Sequence, residues 1–169
     1  MSDPTPTAPR IDPAYGVVPD ASGAEVLPWS WAVGQLAESR NYWVSTTRPD
    51  GRPHATPVWG LWLDDAVWFS VGRTSVKARN IERNPAISVH LESGDQVVIL
   101  DGRAVERREG LDPFLDAYEE KYAFRPDLVE LNSIVFSLAP ETALTWDESD
   151  YPRSAVRWVF TSESSPTSA

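Results

Sequence analysis

The chain has no cysteine, which excludes disulfides, thiolate nucleophiles and cysteine metal ligands and is in keeping with a reducing cytoplasm. It has two histidines only, His54 and His90, too far apart in sequence to suggest a metal motif, and no metal is expected. For each, a hydrogen-bonded strand residue is the plain reading. No apolar run approaches the roughly 20 residues of a membrane span, and the opening MSDPTPTAPR lacks the charged-then-apolar layout of a secretion signal. The expectation is a soluble, cytoplasmic protein. Its 9 glycines never fall as GxGxxG or GxxxxGK, and GxSxG and HExxH are missing too. Positive charge is scarce, with 15 Lys and Arg against 25 Asp and Glu. A nucleic-acid backbone needs a broad basic face, so nucleic acid is not an expected partner.

The scarce cations are gathered locally. Within GRTSVKARNIERNP, residues 72–85, stand Arg73, Lys77, Arg79 and Arg83, with Glu82 alone to answer them. Around this stretch, 169 residues suffice for one domain with a core and not comfortably for two. Residues 1–28 are rich in proline and poor in large apolar groups and read as a flexible arm; residues 162–169 read as a disordered tail. Between them lies the domain, 29–161. Ser30 is a plausible cap for a helix over Trp31 to Ser39, with Val33, Leu36 and Ala37 on its apolar face.

From Tyr42 the apolar period drops to two. NYWVSTT, HATPVWGLWL, AVWFSVG, AISVHLE, QVVILDGRAVERR and SIVFSLAPETALTW read as strands parted by turn residues, with AVRWVF as a further one. The basic stretch reads as a short helix ended by Asn84 and Pro85, and LDPFLDAYEEKY as another, carrying Phe114, Leu115 and Tyr118 on one side. Hairpin succession with few helices predicts a mainly β (α+β) fold, a six-stranded antiparallel barrel with short flanking helices. Asp116, Glu119 and Glu120 read as a solvated helix face rather than an acid/base pair. Most of the 8 tryptophans lie among apolar strand residues and point to core or to a dimer interface.

The basic helix invites an anion. If Thr74 or Ser75 caps it, Lys77 falls in the first turn, where a cation opposes the helix dipole by typically about 0.3–1 kcal/mol. An anion at that end offsets the mismatch and meets free backbone N–H groups and the two hydroxyls. A solvated basic face is the competing reading of the same residues. Pro57, which removes a ladder donor from the second strand, and the direct run of Phe69-Ser70-Val71-Gly72 into the helix favour a flat ligand with a phosphate tail.

The order and spacing of DGRPHATPVWGLW, VWFSVGRTSVKARNIERNP and DQVVILDGRAVER resemble the pyridoxamine 5'-phosphate oxidase-like split β-barrel flavoproteins. The closer likeness is to the actinobacterial branch with deazaflavin (F420)-dependent reductases, which the terminal RWVF also resembles. The resemblance implies a homodimer with cofactor sites at the subunit interface. It implies that Thr56, Pro57, Val58 and Trp59 lie along the cofactor ring. Phe69, Ser70, Ser75 and Lys77 would hold the phosphate, with Arg79 and Asn80 typical of the deazaflavin branch and Gln96 supplied by the partner chain. Vitamin B6 oxidases carry Arg, Lys and Arg where this chain has Thr56, Leu61 and Val76, which speaks against that substrate. The expectation is an F420-dependent oxidoreductase, with FMN as alternative cofactor, acting on a small organic substrate. The alternative class is a non-catalytic protein that stores or senses a flavin, a deazaflavin or another, tetrapyrrole-sized cofactor. No residue is assigned as a catalytic proton donor.

Overall fold

The computed structural model describes residues 3–9, 27–151 and 153–161. In chain order the elements are β1 (Thr5–Thr7), α1 (Trp29–Glu38), β2 (Asn41–Thr47), β3 (Pro53–Leu63) and β4 (Ala66–Gly72). They continue with α2 (Val76–Arg83), β5 (Ala86–His90), β6 (Gln96–Arg107), α3 (Asp112–Tyr122), β7 (Ser133–Asp147) and β8 (Val156–Val159). The sheet runs β7-β4-β3-β2-β5-β6 and closes through β6 onto β7, every pairing antiparallel. This is the expected six-stranded barrel, its interior filled by the alternate residues of each strand, among them Tyr42, Val44, Val67, Phe69, Val89, Leu100 and Leu138.

The two ends of the barrel are closed differently. At the start of β2, the Tyr42 hydroxyl donates to the Leu36 carbonyl of α1, and Trp29 packs there against Trp62, Trp158 and Phe160 at centroid distances of 5.1–6.2 Å. At its other end, Thr46 meets Asn80 of α2. The buried Ala78 and Ile81 turn the same helix onto the core. α3 lies outside the barrel, packing Phe114, Tyr118 and Tyr122 on Leu61 and Val135.

Three sequence expectations change. α1 begins at Trp29 after Pro28, without a side-chain cap, and its buried face is Trp29, Ala32 and Leu36 rather than Val33, Leu36 and Ala37. Burial of the Trp29 ring in the aromatic cluster at the barrel end accounts for the earlier start. On α3, Leu115 is only partly buried, and the apolar face continues to Tyr122. In the arm, Thr5–Thr7 form a strand on β8, with the Thr7 hydroxyl donating to the Arg157 carbonyl; Pro6 is tolerated because this is a sheet edge. Residues 10–26 of the arm and the tail 162–169 lie outside the described residues.

β7 changes partners along its length. Its first half pairs with β4 and its second with β8 on one edge, while β6 follows it along the other. Opposite Asp101 and Gly102 the register slips by one residue at Pro140 and Glu141, a bulge that absorbs a proline unable to donate. A Cβ on Gly102 would stand 2.9 Å from the Ala139 carbonyl oxygen. Gly102→Ala is therefore expected to lower stability by about 1–3 kcal/mol, read as a lower urea midpoint with an unchanged slope.

Candidate functional site

β3 is paired along its two halves by different strands. Pro53–Trp59 pair with β2, and only Gly60–Leu63 pair with β4, so beyond Gly60 and Phe69 the two strands part and one edge of β3 is left without a strand. Main-chain direction along that edge follows from Gly60. Its N–H donates to the Tyr122 hydroxyl at 2.9 Å, and that oxygen also lies 2.6 Å from the Gly60 carbonyl and 2.7 Å from that of Arg40, next to β2. Gly60 thus faces the β2 side, and alternation turns Ala55, Pro57 and Trp59 to the open side. They present three carbonyls and, since Pro57 has none, two N–H groups. Their side chains are exposed on the outer face, whereas those of His54, Thr56 and Val58 are half-buried.

The basic stretch meets this edge at the α2 end of the barrel. Ser75 is the N-cap of α2, its Oγ accepting from the Ala78 N–H at 3.1 Å, which leaves its own O–H free to donate. The four cations do not act alike. Arg73, Arg79 and Arg83 are exposed. Arg73 turns toward Glu106 at 3.7 Å, and the Arg79 guanidinium donates back to the Thr74 carbonyl. Lys77 alone is buried, at 7% exposure, and it has neither an ion pair nor a hydrogen bond among the described residues. Burial pulls its pKa down to about 8, with no carboxylate near enough to oppose the shift.

Two residues that sequence reasoning left aside belong to this corner. His54 is held below the usual imidazole range, first by burial and then by the charges of Arg48 and Lys77. It sits on the inward side of β3 directly across from Thr46. Thr46 in turn accepts a hydrogen bond from the Asn80 amide at 2.9 Å. The sequence signal was parity: His54 shares a face with Thr56 and Val58.

At the far end of the free edge lies a second cluster absent from the sequence expectations. The Trp59 ring stacks on Tyr122 at 4.7 Å, nearly parallel, and the Arg40 guanidinium lies 4.9 Å from the Trp59 centroid. Lys121 donates to the Gly60 carbonyl at 3.2 Å, and burial lowers its pKa to about 8. Ser70 faces out from β4 beside the Tyr118 hydroxyl.

The remaining expected site residues divide as follows. Thr56 and Val58 turn their half-buried side chains to the inward side of β3, and Pro57 and Trp59 turn theirs outward. Phe69 is wholly buried against Phe136, so any part in holding phosphate would fall to its main chain rather than its side chain. The alternation of β4 puts it on the core side, and the sequence run had suggested only its neighbourhood to the helix. Asn80 is also buried, its amide already engaged with Thr46. Gln96 starts β6, which β5 and β2 separate from β3, and it stands opposite Asp147. A single chain does not bring it to the free edge.

The outer face of the same strands is apolar for a surface. Trp43 pairs with Pro57 in the register and its ring lies parallel to His90 at 6.1 Å. Ala55 and Pro57 are exposed beside it, and Trp59 retains 37% exposure.

Residues 32–154 match the protein family described as pyridoxamine 5'-phosphate oxidase. Among solved structures, an F420 reductase is 20% identical and superposes with a TM-score of 0.54 over 64% of this chain and 93% of its own. A conserved hypothetical protein from Mycobacterium tuberculosis is 22% identical, with a TM-score of 0.61 over 76% of this chain and 91% of its own. HutZ, a heme storage protein from Vibrio cholerae, is 17% identical, with a TM-score of 0.52 over 65% and 88%. At such identities the likeness is one of fold. No curated protein matches the chain.

Proposed function

The chain belongs to the pyridoxamine 5'-phosphate oxidase family, and from that premise we propose that it is an oxidoreductase using a phosphate-bearing flavin-type cofactor, F420 in the first place and FMN as the alternative. The observation that carries this reading is Lys77: a side chain at 7% exposure whose ammonium has no acid to pair with among the described residues. An isolated charge is costly to bury, and a site that tolerates one is completed by an anion. That a protein of the same fold is an F420 reductase supports the choice of cofactor.

The residues divide the work. Lys77, the Ser75 hydroxyl and the first N–H groups of α2 would hold the phosphate, with Arg79 over the helix start. The carbonyls and N–H groups of Ala55, Pro57 and Trp59 would lie along the ring, and Trp59 and Tyr118 would border it. Such a cofactor supplies hydride transfer when bound, so the protein need only bind, orient and exclude water. This agrees with a site that holds no carboxylate pair. The apolar outer face of β2, β3 and β5 would be covered by a second copy of the chain, whose Gln96 would reach the site. A cytoplasmic location and a small organic substrate complete the proposal.

A second reading, storage without turnover, is favoured by the same fold serving heme storage in HutZ. Titration of the purified chain with F420 and with FMN, followed by fluorescence, separates the possibilities. Saturable binding of F420, and oxidation of its reduced form by a small acceptor faster than without protein, is the expected outcome. Tight binding without any such acceleration, across a panel of acceptors, gives the storage reading. Binding of neither cofactor overturns both.

A further inference from the structure

The anion corner holds one basic group more than the phosphate ligands named above. β3 places His54 at the α2 end of the barrel, on the same inward side as Thr56. Its Nδ1 lies 3.4 Å from the Thr46 Oγ, and that hydroxyl is itself fixed by the Asn80 amide at 2.9 Å. Asn80 and Thr46 are buried to 2% and 3% exposure, so this chain of contacts holds the imidazole from behind. Nε2, the other ring nitrogen, has no partner among the described residues. The charges that bear on the ring come from Arg48 in the β2–β3 turn and Lys77 on α2, and no carboxylate acts on it from any element. Two cations thus act on His54, and among the described residues no carboxylate does.

We infer that His54 is a second phosphate ligand of the cofactor site, donating through Nε2, and that it takes up a proton from solvent when a phosphomonoester is seated beside Lys77. The inference rests on the cofactor reading given above. For FMN, charge balance supports it: a phosphomonoester carries roughly −1.5 to −2 at neutral pH, Lys77 supplies one positive charge at the buried end, and the exposed Arg79 is turned back to the Thr74 carbonyl. A protonated imidazole brings the second. Without the anion, Lys77 and Arg48 repel that proton, so His54 stays neutral; with it, the sign of the local field reverses. Asn80 and Thr46 are then positioning residues for the imidazole and do not touch the ligand.

Two histidines in the whole chain make the test direct. The imidazole signals of His54 and His90 are followed by NMR against pH in the intact wild-type protein, with His54→Gln used to assign them. The measurement is made alone, with FMN, with F420 and with riboflavin, which has the ring and lacks the phosphate. The expected result is that FMN raises the His54 pKa by about one unit or more while riboflavin leaves it in place. His90, stacked on Trp43 and bonded through Nδ1 to the Leu91 carbonyl, serves as reference. His54→Gln is expected to weaken FMN binding about tenfold and riboflavin binding not at all. If FMN binds saturably and the His54 signal titrates as before, or if F420 alone binds and His54→Gln leaves its affinity unchanged, the inference fails and the cofactor reading stands. If neither binds, both fall together. The wild-type titration needs no variant to fold.

Discussion

Lys77→Met will abolish capture of the phosphate-bearing cofactor and at the same time leave the fold as stable as before, or more so. Both halves follow from one fact, that the Lys77 side chain is largely buried and its ammonium meets no negative group among the described residues. Removing a buried ligand cation is expected to cost cofactor binding on the order of 100-fold, about 3 kcal/mol. The stability half is a matter of protons. Lys77 holds its proton to about pH 8 in the folded state, against a reference value of 10.5. Between those values the unfolded chain binds the proton and the folded chain does not, so stability rises with pH across that window. Below it the folded state carries the whole penalty of burying the charge, lessened by the solvent that reaches the ammonium. Methionine carries none. Thermal melts of the two proteins at pH 7 and pH 10 should converge at the higher pH, with the variant ahead at the lower. Lys121, lowered by burial in the same direction, contributes to both and cancels in the difference. A variant that keeps its affinity for FMN and F420 would remove the foundation of the cofactor reading.

Trp43→Asp should break the proposed dimer into monomers and remove cofactor binding with it. Trp43 sits in the middle of the outer face, with Pro57 across the ladder on one side and His90 on the other. Buried aromatic anchors dominate interface energies, and a carboxylate in their place must either stay solvated or be buried without a partner. The expected loss is on the order of 100-fold or more in the dimer dissociation constant. Sedimentation equilibrium of the parent and the variant reads it directly. Because Gln96 lies on the far side of β5 and β2 from the free edge, a monomer has no means of bringing it there. A parent chain that is already monomeric at micromolar concentration, and binds cofactor in that form, would rule out the shared site.

Much of the barrel was legible because strand alternation is a local property. Tyr42, Val44 and Thr46 are buried and Trp43 and Ser45 are not, as the period of two dictates. The cap at Ser75 and the stop at Asn84 were readable from turn chemistry. What local pattern did not carry was the depth of each cation. Arg73, Lys77, Arg79 and Arg83 look equivalent in composition, and only the phase of α2, which puts Lys77 on the side of Ala78 and Ile81, separates the buried one. Phe69 is a like case: its place near the helix is plain from the sequence run, and the alternation of β4 turns its side chain to the core. The cluster of Arg40, Trp59, Lys121 and Tyr122 joins residues from α3 and from both ends of β2 and β3, and such long-range convergence leaves no mark on any single stretch.

The unpaired margin of β3 has a consequence for the protein before any ligand arrives. Exposed ladder groups are an invitation for another chain to add a strand, the first step toward insoluble fibrils. Pro57 sits in the middle of that margin as an imino acid, so a foreign strand finds no amide hydrogen there and an incoming ladder is interrupted at its centre. One residue thereby guards the margin against strand addition while leaving its carbonyl available there.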